Sequence, residues 1–324
     1  MTNPIQISIV IPVYQGEKTL PKLVGELNSY HQAQTTKLGH LYTISEVILV
    51  HDCGADRSDK IIEELSERYP IVRPIWLSRN FGQHPATMAG MASATGDWIV
   101  TLDEDGQQDP TFISGILDEA ISKSLQVVYA LPTNPPPHGW LRNAFSKLAK
   151  SIFQKLSGNV MAKYFNSFRM IDGEIARTLA AYSGNGIFLD VGLLWVSSRI
   201  GSFPVELRDE DRPSGYSYSK LMSHFWRLIL ISGTRPLRLI TMLGIFSLMI
   251  AFMTSLIALY GKILGNVPVQ GWTSLFIIIS FFSGAIMLSL GIVAEYLAVT
   301  MSIAMGKPLY VISTKPSRPP KTVR

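Results

Sequence analysis

Two carboxylates at positions i and i+2 give this chain its clearest chemical signal. Asp103 and Asp105 follow the apolar segment 98–102, and the side-chain carbonyl of Gln107 comes two residues later. Such hard oxygen ligands suit Mg²⁺ or Mn²⁺, and a cation held in this way can also bind a diphosphate. An acidic surface turn has the same spacing. The position directly after a buried strand, beside other polar strand ends, favours the metal site.

The elements that must position these residues follow from the alternation of apolar segments with helical patterns. This order predicts an α/β fold, a mostly parallel sheet with helices on both faces. In such a sheet, ligands bind beyond the carboxyl ends of the strands. The predicted strands are Ile7–Val13, Val47–Val50, Ile71–Leu77, Trp98–Leu102 and Val127–Ala130. The predicted helices are Thr19–Tyr30, Ser58–Arg68, Pro85–Thr95 and Pro110–Ser122.

The sequence lacks three motifs that mark other enzyme classes. No G-x-G-x-x-G follows the first predicted strand, and neither G-x-x-x-x-G-K-[ST] nor G-x-S-x-G occurs. Dinucleotide oxidoreductases, P-loop enzymes and serine hydrolases are therefore disfavoured. The single Cys53 excludes an internal disulfide and is consistent with a reducing compartment.

Two long stretches in the last third of the chain contain no acidic, basic or histidine side chain. The first is Leu239–Tyr260, and the second is Asn266–Ala294, whose densest apolar part is Leu275–Ala294. Each exceeds the roughly 20 residues that span a hydrocarbon core. Buried helices of a large soluble domain are the alternative, but helices that are apolar all round over this length are rare there. The sequence therefore predicts two transmembrane helices.

Flanking basic residues predict the orientation of these helices. The connecting turn holds only Lys262, whereas basic residues cluster outside both stretches. By the positive-inside bias, both termini and everything before Arg238 are then cytoplasmic, in an integral protein of the cytoplasmic membrane. The flanking residues are Arg227, Arg235 and Arg238 before the first stretch, and Lys307, Lys315, Arg318, Lys321 and Arg324 after the second.

Charge is distributed unevenly along the chain. Residues 1–119 hold 8 Lys and Arg against 16 Asp and Glu, whereas residues 120–324 hold 21 against 8. Part of the basic excess lies in two amphipathic patterns, Trp140–Leu156 and Tyr218–Ile231. These predict helices that lie on anionic lipid headgroups, or helices that pack on the domain with a solvated basic face. Nucleic acid is a poor partner, because much of this charge flanks the spans or belongs to these helices.

An ordered series of motifs resembles the family 2 glycosyltransferases, in particular the polyprenyl-phosphate glycosyltransferases related to dolichyl-phosphate mannose synthase. The series covers nearly the whole chain, and its order is more specific than any single motif. It comprises Ile9-Val10-Ile11-Pro12-Val13-Tyr14, Asp52 and Asp56, Ser78-Arg79-Asn80-Phe81-Gly82, Asp103-x-Asp105-x-Gln107-Gln108-Asp109-Pro110, Ser167-Phe168-Arg169, Arg212-x-x-Gly215-x-Ser217 and Arg235-Pro236-Leu237-Arg238.

The resemblance implies a GT-A (Rossmann-like) fold and inverting transfer of a hexose from a UDP- or GDP-sugar to polyprenyl phosphate, with Mg²⁺ or Mn²⁺. Site residues are carried over by position. The donor side would comprise Pro12, Tyr14, Glu17 and Asp52 at the nucleoside, together with Arg79. The metal and the donor diphosphate would be held by Asp103, Asp105 and Gln107. The candidates for contacts with the acceptor phosphate are Arg142 and Arg169, and those for donor or acceptor phosphates near the membrane are Arg212, Ser217 and Lys220.

Together with the apolar and amphipathic stretches, the resemblance predicts a division of the chain. A catalytic domain would occupy residues 1–217, with an interfacial helix near 139–157. A juxtamembrane helix would follow over 218–236, then two spans over 237–300 and a basic tail over 301–324. Three segments depart from the family pattern: His51–Gly54, Leu131–Pro137 and Asn185–Asp190. Within the third, Asp190 is predicted to cap a helix that begins at Val191.

The chemistry of a phosphate acceptor explains why no catalytic base is required. A phosphate monoester is already anionic near neutral pH, so the main task is to neutralise the charges of donor and acceptor. Two other functions stay open at this point. Extension of a lipid-linked glycan would need a base, for which Asp190 is the first candidate, and an inactive membrane scaffold would need none. The sequence leaves the sugar, the nucleobase, the polyprenol and a homo-oligomer undetermined.

Overall fold

The computed structural model describes residues 3–134, 164–184, 187–208 and 271–314, and positions 244, 246, 249, 252, 253, 256 and 260. A nine-stranded sheet lies at the centre of this part of the chain. Its strands are β1 (Ile5–Val13), β2 (Gln34–Thr35), β3 (Leu41–His51), β4 (Val72–Leu77), β5 (Trp98–Thr101), β6 (Val127–Pro132), β7 (Arg169–Asp172), β8 (Ile200–Val205) and β9 (Ile312–Ser313). The helices are α1 (Leu20–Asn28), α2 (Ser58–Arg68), α3 (Gln83–Ser93), α4 (Ile113–Ser122), α5 (Gly173–Tyr182), α6 (Leu189–Val196) and α7 (Trp272–Ala304).

The strand order is β8-β6-β7-β5-β1-β3-β4-β9, with β2 beside β3. β1 pairs in parallel with β3 and β5, and β3 pairs in parallel with β4. Among the described strands, only β2, β7 and β9 run against their neighbours. The predicted mostly parallel sheet is confirmed. The insertion of β7 between β5 and β6 is not predicted, because Arg169–Asp172 is short and polar at both ends.

Helices cover both faces of the sheet, as predicted. In β1, Ile9 and Ile11 are buried on one face, and Val10 is buried on the other. α1, α2 and α4 pack on the first face, whereas α3, α5 and α6 pack on the second. Burial on both faces explains why the central strands are continuously apolar instead of alternating with polar residues.

β3 begins at Leu41, six residues before the predicted start at Val47. The prediction missed these residues because the polar pair Ser45-Glu46 interrupts the apolar pattern. A register shift between Ile7 and Ser8 of β1 accommodates this pair. Glu46 is only 4% exposed. Its carboxylate accepts hydrogen bonds from Ser8 Oγ at 2.6 Å and from Thr95 N at 2.7 Å, and it pairs with the Arg73 guanidinium. A buried charge here is therefore fully partnered.

Glu46 is expected to make the fold sensitive to acid. Burial raises the pKa of its carboxyl, but hydrogen bonds from Ser8, Thr95 and Arg73 outweigh this effect and hold the pKa below its ordinary value of 4.5. The stabilisation is therefore present above the unfolded pKa and is lost as the pH falls through the folded one. We expect Glu46→Gln to unfold at a lower temperature than wild type at neutral pH, and to lose less stability on acidification below about pH 5. Thermal unfolding at a series of pH values measures both effects, and parallel curves would contradict this role.

α7 is long and apolar enough to cross a membrane. It spans 33 residues, and none of its window Phe281–Ala298 is buried. The helix differs from the predicted second span, since it continues past Ala294 through Glu295 to Ala304. Among the described residues it is the one helix that meets the criteria of length and composition. Most of the first predicted span lies outside the described residues, although its described positions are helical and exposed. Both predicted amphipathic helices also lie outside them.

The chain returns from α7 to the sheet. Ile312 and Ser313 form β9, which pairs antiparallel with Leu77 and Trp76 at the end of β4. Ser78 N donates a hydrogen bond to the Val311 carbonyl at 2.9 Å. Just before β9, Leu309 and Tyr310 pack against the core on the face of the sheet that α3 covers. This segment falls in the predicted basic tail, but the structure makes it part of the sheet. A two-residue strand carries no periodic pattern that a sequence could reveal.

Candidate active site

The loops that follow β1, β3, β4 and β5 meet at one edge of the sheet. Residues 103–109 form the acidic loop after β5, and Asp103 is partly buried at its start. Its carboxylate accepts hydrogen bonds from Gln83 Nε2 at 2.6 Å, from Gln108 Nε2 at 3.0 Å and from the Ser167 hydroxyl. The start of α3, the acidic loop itself and the segment before β7 therefore fix this carboxylate jointly.

The acidic loop turns at Gly106, which has a φ of +77°. Glycine adopts this left-handed conformation without a steric cost. Gln107 N donates a hydrogen bond to Asp105 Oδ1 at 3.0 Å, an Asx turn that fixes the Asp105 side chain. Arg208 N donates a hydrogen bond to the main-chain carbonyl of Gln107 at 2.9 Å, and the Arg208 guanidinium contacts the Asp109 carboxylate at 3.0 Å. The segment after β8 thus holds the far end of the loop.

The electrostatics of Asp103 fit a bound cation. Burial raises the pKa of its carboxyl to about 6, and the negative charge of Asp105 adds to this, against the opposing effects of Ser167, Arg169 and Gln108. A divalent cation between the two carboxylates would offset their repulsion. No group of three His, Cys, Asp or Glu that could hold a metal lies within the described ranges. Two carboxylates and the Gln107 side-chain carbonyl would leave further positions on a cation for water or phosphate oxygens, which Mg²⁺ commonly keeps.

The residues predicted on the nucleoside side differ in accessibility. The β1 loop comprises residues 14–17, and Tyr14 is 44% exposed, so that its ring is available at the edge. Pro12 is buried within β1. Glu17 is partly exposed, and its carboxylate accepts a hydrogen bond from Arg57 N at 3.2 Å. Of these three, Tyr14 offers the largest surface to a ligand.

Asp52 holds the loop between β4 and α3. It is 3% exposed, and its two oxygens accept hydrogen bonds from Phe81 N at 2.7 Å and Gly82 N at 2.8 Å. Burial raises the pKa of Asp52, while these two backbone hydrogen bonds and the charge of Arg79 oppose the rise. The exposed Arg79 guanidinium lies 4.2 Å from the centroid of the Phe81 ring. By holding the loop that carries Arg79, Asp52 therefore helps to place the Arg79 guanidinium at this edge of the sheet.

Gly54 lies where the loop after β3 crosses the β1 loop. A Cβ at this position would lie 1.6 Å from the Tyr14 carbonyl oxygen. We expect Gly54→Ala to lower the free energy of unfolding by about 1–3 kcal/mol, because the backbone of either the β1 loop or the loop after β3 must move. Thermal unfolding measures the loss. Gly184→Ala is the control, since a Cβ there meets nothing within 4 Å, and an equal effect of the two variants would contradict the expectation.

Arg169 belongs to a buried ion pair. It is 3% exposed in β7, its guanidinium pairs with Asp190, and its Nε donates to Thr101 Oγ1 at 3.1 Å. Tyr129 OH donates to the same Asp190 oxygen at 3.0 Å. Arg169 is therefore placed behind the acidic loop, where it supports the strand that leads to Asp103. In this arrangement it is not an exposed cation for an acceptor phosphate.

The predicted cap role of Asp190 is wrong. α6 begins at Leu189, so Asp190 lies in the first turn, and the N-cap residue Phe188 makes no side-chain hydrogen bond there. The Asp190 carboxylate turns toward Arg169 and Tyr129 instead. The charge still lies where the helix dipole favours an acid. Its distant ion-pair partner leaves no local signal in the sequence.

Four predicted phosphate contacts, Arg142, Arg212, Ser217 and Lys220, lie outside the described residues. Arg208 limits where the segment that carries three of them can begin. It contacts Asp109 of the acidic loop, so the chain leaves the sheet beside this loop.

Comparison with known proteins decides the family. The model of glycosyl transferase family 2 matches residues 8–178, which include the β1 loop, the acidic loop and Arg169. The chain belongs to this family. A bactoprenol glucosyl transferase of Shigella phage SfX is 25% identical over 96% of this chain and 100% of its own length. An undecaprenyl-phosphate 4-deoxy-4-formamido-L-arabinose transferase of Sodalis glossinidius is 27% identical over 99% and 98%.

A solved structure agrees with the GT-A-like fold. Glucosyl-3-phosphoglycerate synthase from Mycobacterium tuberculosis, in complex with Mn²⁺, UDP and phosphoglyceric acid, is 13% identical. It superposes with a TM-score of 0.52, covering 71% of this chain and 78% of that one. The predicted GT-A-like α/β fold of this family 2 glycosyltransferase is therefore confirmed.

The roles of several residues at the candidate site escape sequence reasoning. Gln83 and Gln108 hold Asp103, and Glu104 binds the backbone of the β1 loop. Gln108 belongs to the motif series but has no role assigned there, whereas Gln83 and Glu104 are marked only by their positions near a predicted helix and beside Asp103. Tyr129 and Thr101 complete the buried network around Arg169, and both read as ordinary strand residues.

Proposed function

We propose that this glycosyltransferase transfers a hexose from a UDP- or GDP-sugar to polyprenyl phosphate at the cytoplasmic face of the membrane, with inversion at the anomeric carbon. The return of the chain from α7 to the sheet carries the proposal. β9 pairs with the carboxyl end of β4, through Ile312 and Leu77. The eight residues from Ala304 to Ile312 reach at most about 29 Å. A helix that can cross a membrane thus ends no more than about 29 Å from β9, which pairs at the edge that bears Asp103.

The relatives support the same acceptor. One is named for glucosyl transfer with bactoprenol and the other for transfer with undecaprenyl phosphate, and both match along nearly their whole length. The complex of the mycobacterial enzyme with Mn²⁺ and UDP supports a divalent metal and a nucleotide donor. A lipid-linked phosphate approaching from the membrane would meet the loops at the carboxyl edge first.

The roles of the chain's own residues follow from the geometry. Asp103, Asp105 and Gln107 would hold Mg²⁺ or Mn²⁺, which supplies charge neutralisation for the leaving diphosphate. The exposed Tyr14 ring would contact the nucleoside. Cationic side chains would bring the acceptor phosphate close to the donor despite their like charges; the candidates are the exposed Arg79 and, outside the described residues, Arg142, Arg212 and Lys220. The phosphate oxygen attacks as an anion, so no residue has to remove a proton.

The rival functions are less compatible with the site. Glycan extension requires a base, but the Asp190 carboxylate is occupied by Arg169 and Tyr129 and is largely buried. An inactive scaffold would not need a pair of carboxylates of which one, Asp103, is held by Gln83, Gln108 and Ser167. Neither rival is proposed further.

The membrane arrangement is part of the proposal. Two spans over residues 237–300 would place the catalytic domain of residues 1–217 and both termini in the cytoplasm, and amphipathic helices near 139–157 and 218–236 would contact membrane lipids. Pairing of β9 with β4 supports this arrangement, because the segment after α7 then lies on the same side of the membrane as the sheet. A homo-oligomer is compatible with it.

The test supplies detergent-purified protein with undecaprenyl phosphate and a panel of UDP- and GDP-sugars. We expect one donor to yield a lipid product whose mass corresponds to undecaprenyl phosphate plus one hexose, or a modified sugar. A competing sugar-lipid acceptor in the same mixture should remain unchanged. Transfer to the sugar-lipid alone would favour glycan extension, and no donor consumption under any condition would favour the scaffold.

A further inference from the structure

Glu104 lies between the two candidate metal ligands but points to another loop. Its Oε2 accepts a hydrogen bond from Tyr14 N at 2.9 Å, and its Oε1 accepts one from Gln15 N at 2.9 Å. A carboxylate that accepts from consecutive backbone N–H groups forms charge-assisted hydrogen bonds in a small anion nest. The acidic loop and the β1 loop are therefore joined by one side chain.

The surroundings of Glu104 leave the β1 loop little freedom. A Cβ on Gly16 would lie 2.9 Å from Glu104 Oε2 and 2.7 Å from Leu20, so the absence of a side chain there gives the carboxylate its place. On the opposite side, Gly54 lies directly against the Tyr14 carbonyl. The backbone of Tyr14 is thus fixed on both sides, since its N–H donates to Glu104 and its carbonyl oxygen lies against Gly54.

This connection has a specific consequence for a ligand that touches both loops. A nucleoside diphosphate would place its base and ribose near the exposed Tyr14 ring and its phosphates near Asp103 and Asp105. Its affinity depends on the distance between the two loops, because a ligand that bridges them loses one contact when the spacing is wrong. A cation alone contacts only the acidic loop and does not sense this spacing.

We propose that Glu104 is a positioning residue that sets the spacing between Tyr14 and the Asp103–Asp105 pair, and thereby makes the binding of metal and nucleotide cooperative. The inference rests on the proposed function, since it assumes a nucleotide donor and a divalent metal. It assigns Glu104 neither to the metal nor to the reacting atoms.

The experiment compares wild type with Glu104→Gln in detergent-purified protein. Mn²⁺ binding alone is followed by electron paramagnetic resonance, and UDP and GDP binding by calorimetry with and without Mn²⁺. Glutamine keeps the size of the side chain but turns a donor toward one of the two N–H groups. We expect the Kd of the nucleoside diphosphate in the presence of Mn²⁺ to rise roughly tenfold or more, while the Kd of Mn²⁺ alone changes less than about twofold.

Glu119→Gln is the matched control, because it removes an acid from an exposed pair with Lys123 in α4. A double-mutant cycle with Tyr14→Ala then tests the route of the effect. If Glu104 acts through Tyr14, adding Glu104→Gln to Tyr14→Ala weakens nucleotide binding by less than about twofold further. Circular dichroism and thermal unfolding of each variant show that the comparison is between folded proteins.

Three results would overturn the inference. A tenfold loss of Mn²⁺ affinity in Glu104→Gln would make Glu104 a metal ligand. Additive effects in the cycle would show that it acts independently of Tyr14, and unchanged nucleotide binding would show that the spacing does not matter. Wild type that binds neither UDP nor GDP with Mn²⁺ would instead contradict the proposed function, and the inference with it.

Discussion

Replacing Asp105 with alanine is expected to lower the rate of sugar transfer by at least about a thousandfold while the protein stays folded and membrane-bound. Such a factor corresponds to about 4 kcal/mol of the activation barrier, the scale of charge stabilisation that a bound metal supplies. Asp105 is one of two carboxylates that would hold this cation. The Asx turn that its carboxylate forms with Gln107 N is local to the acidic loop, so its loss should leave the fold intact.

The measurement is transfer to undecaprenyl phosphate under saturating donor, together with Mn²⁺ affinity. Asp105→Asn separates charge from shape, because an amide oxygen can still accept the hydrogen bond from Gln107 N; it should be nearly as inactive as the alanine variant. Glu67→Ala, on the exposed side of α2, is the control and should transfer at the wild-type rate. Full activity of Asp105→Ala, or undiminished wild-type turnover after complete chelation, would exclude the metal site.

Asp190→Ala is expected to lower the free energy of unfolding by about 3–5 kcal/mol. The variant leaves the Arg169 guanidinium buried without its anionic partner, and it removes the acceptor of the Tyr129 hydroxyl. Breaking a buried pair from one side costs more than the pair contributes, because a desolvated charge remains. Denaturant unfolding followed by tryptophan fluorescence in detergent measures the change.

An exposed ion pair provides the comparison. Lys123 and Glu119 pair within α4 at 2.6 Å, with the lysine largely in solvent. Glu119→Ala should therefore cost less than about 1 kcal/mol. Asp190→Asn, which keeps an acceptor for Tyr129, should fall between the two. A loss in Asp190→Ala no larger than in Glu119→Ala would show that the Arg169 charge finds another partner or solvent.

The sequence predicts the central strands and the helices beside them because their pattern is strong. Consecutive residues such as Ile9, Val10 and Ile11 point to opposite faces of the sheet and are all apolar. The helices between the strands repeat apolar residues every three or four positions. β7 and β9 could not be found, since a strand of two to four residues owes its existence to a partner far away in the chain. The start of β3 is hidden by Glu46, whose charge is satisfied by Ser8 and Thr95.

The site shows the same division between local and distant causes. Asp103 and Asp105 are recognisable because their spacing and their position after a strand are local. Their supports are not: Gln83 and Ser167 reach Asp103 from α3 and from the segment before β7. Arg169 illustrates the converse, because a motif identifies it as important, yet only the fold reveals that it faces Asp190. Motifs name the residues, and the tertiary contacts determine their roles.

The late position of β9 in the chain links the proposed membrane insertion of α7 to the completion of the sheet during synthesis. Domains begin to fold from the N-terminal side as the chain emerges, so β4 stays an open sheet edge until residues beyond α7 are made. An open edge is a template for pairing with other chains. In the proposed membrane arrangement, a newly made chain whose α7 does not insert would leave this edge open, whereas an inserted chain pairs Trp76 and Leu77 at its end with its own β9.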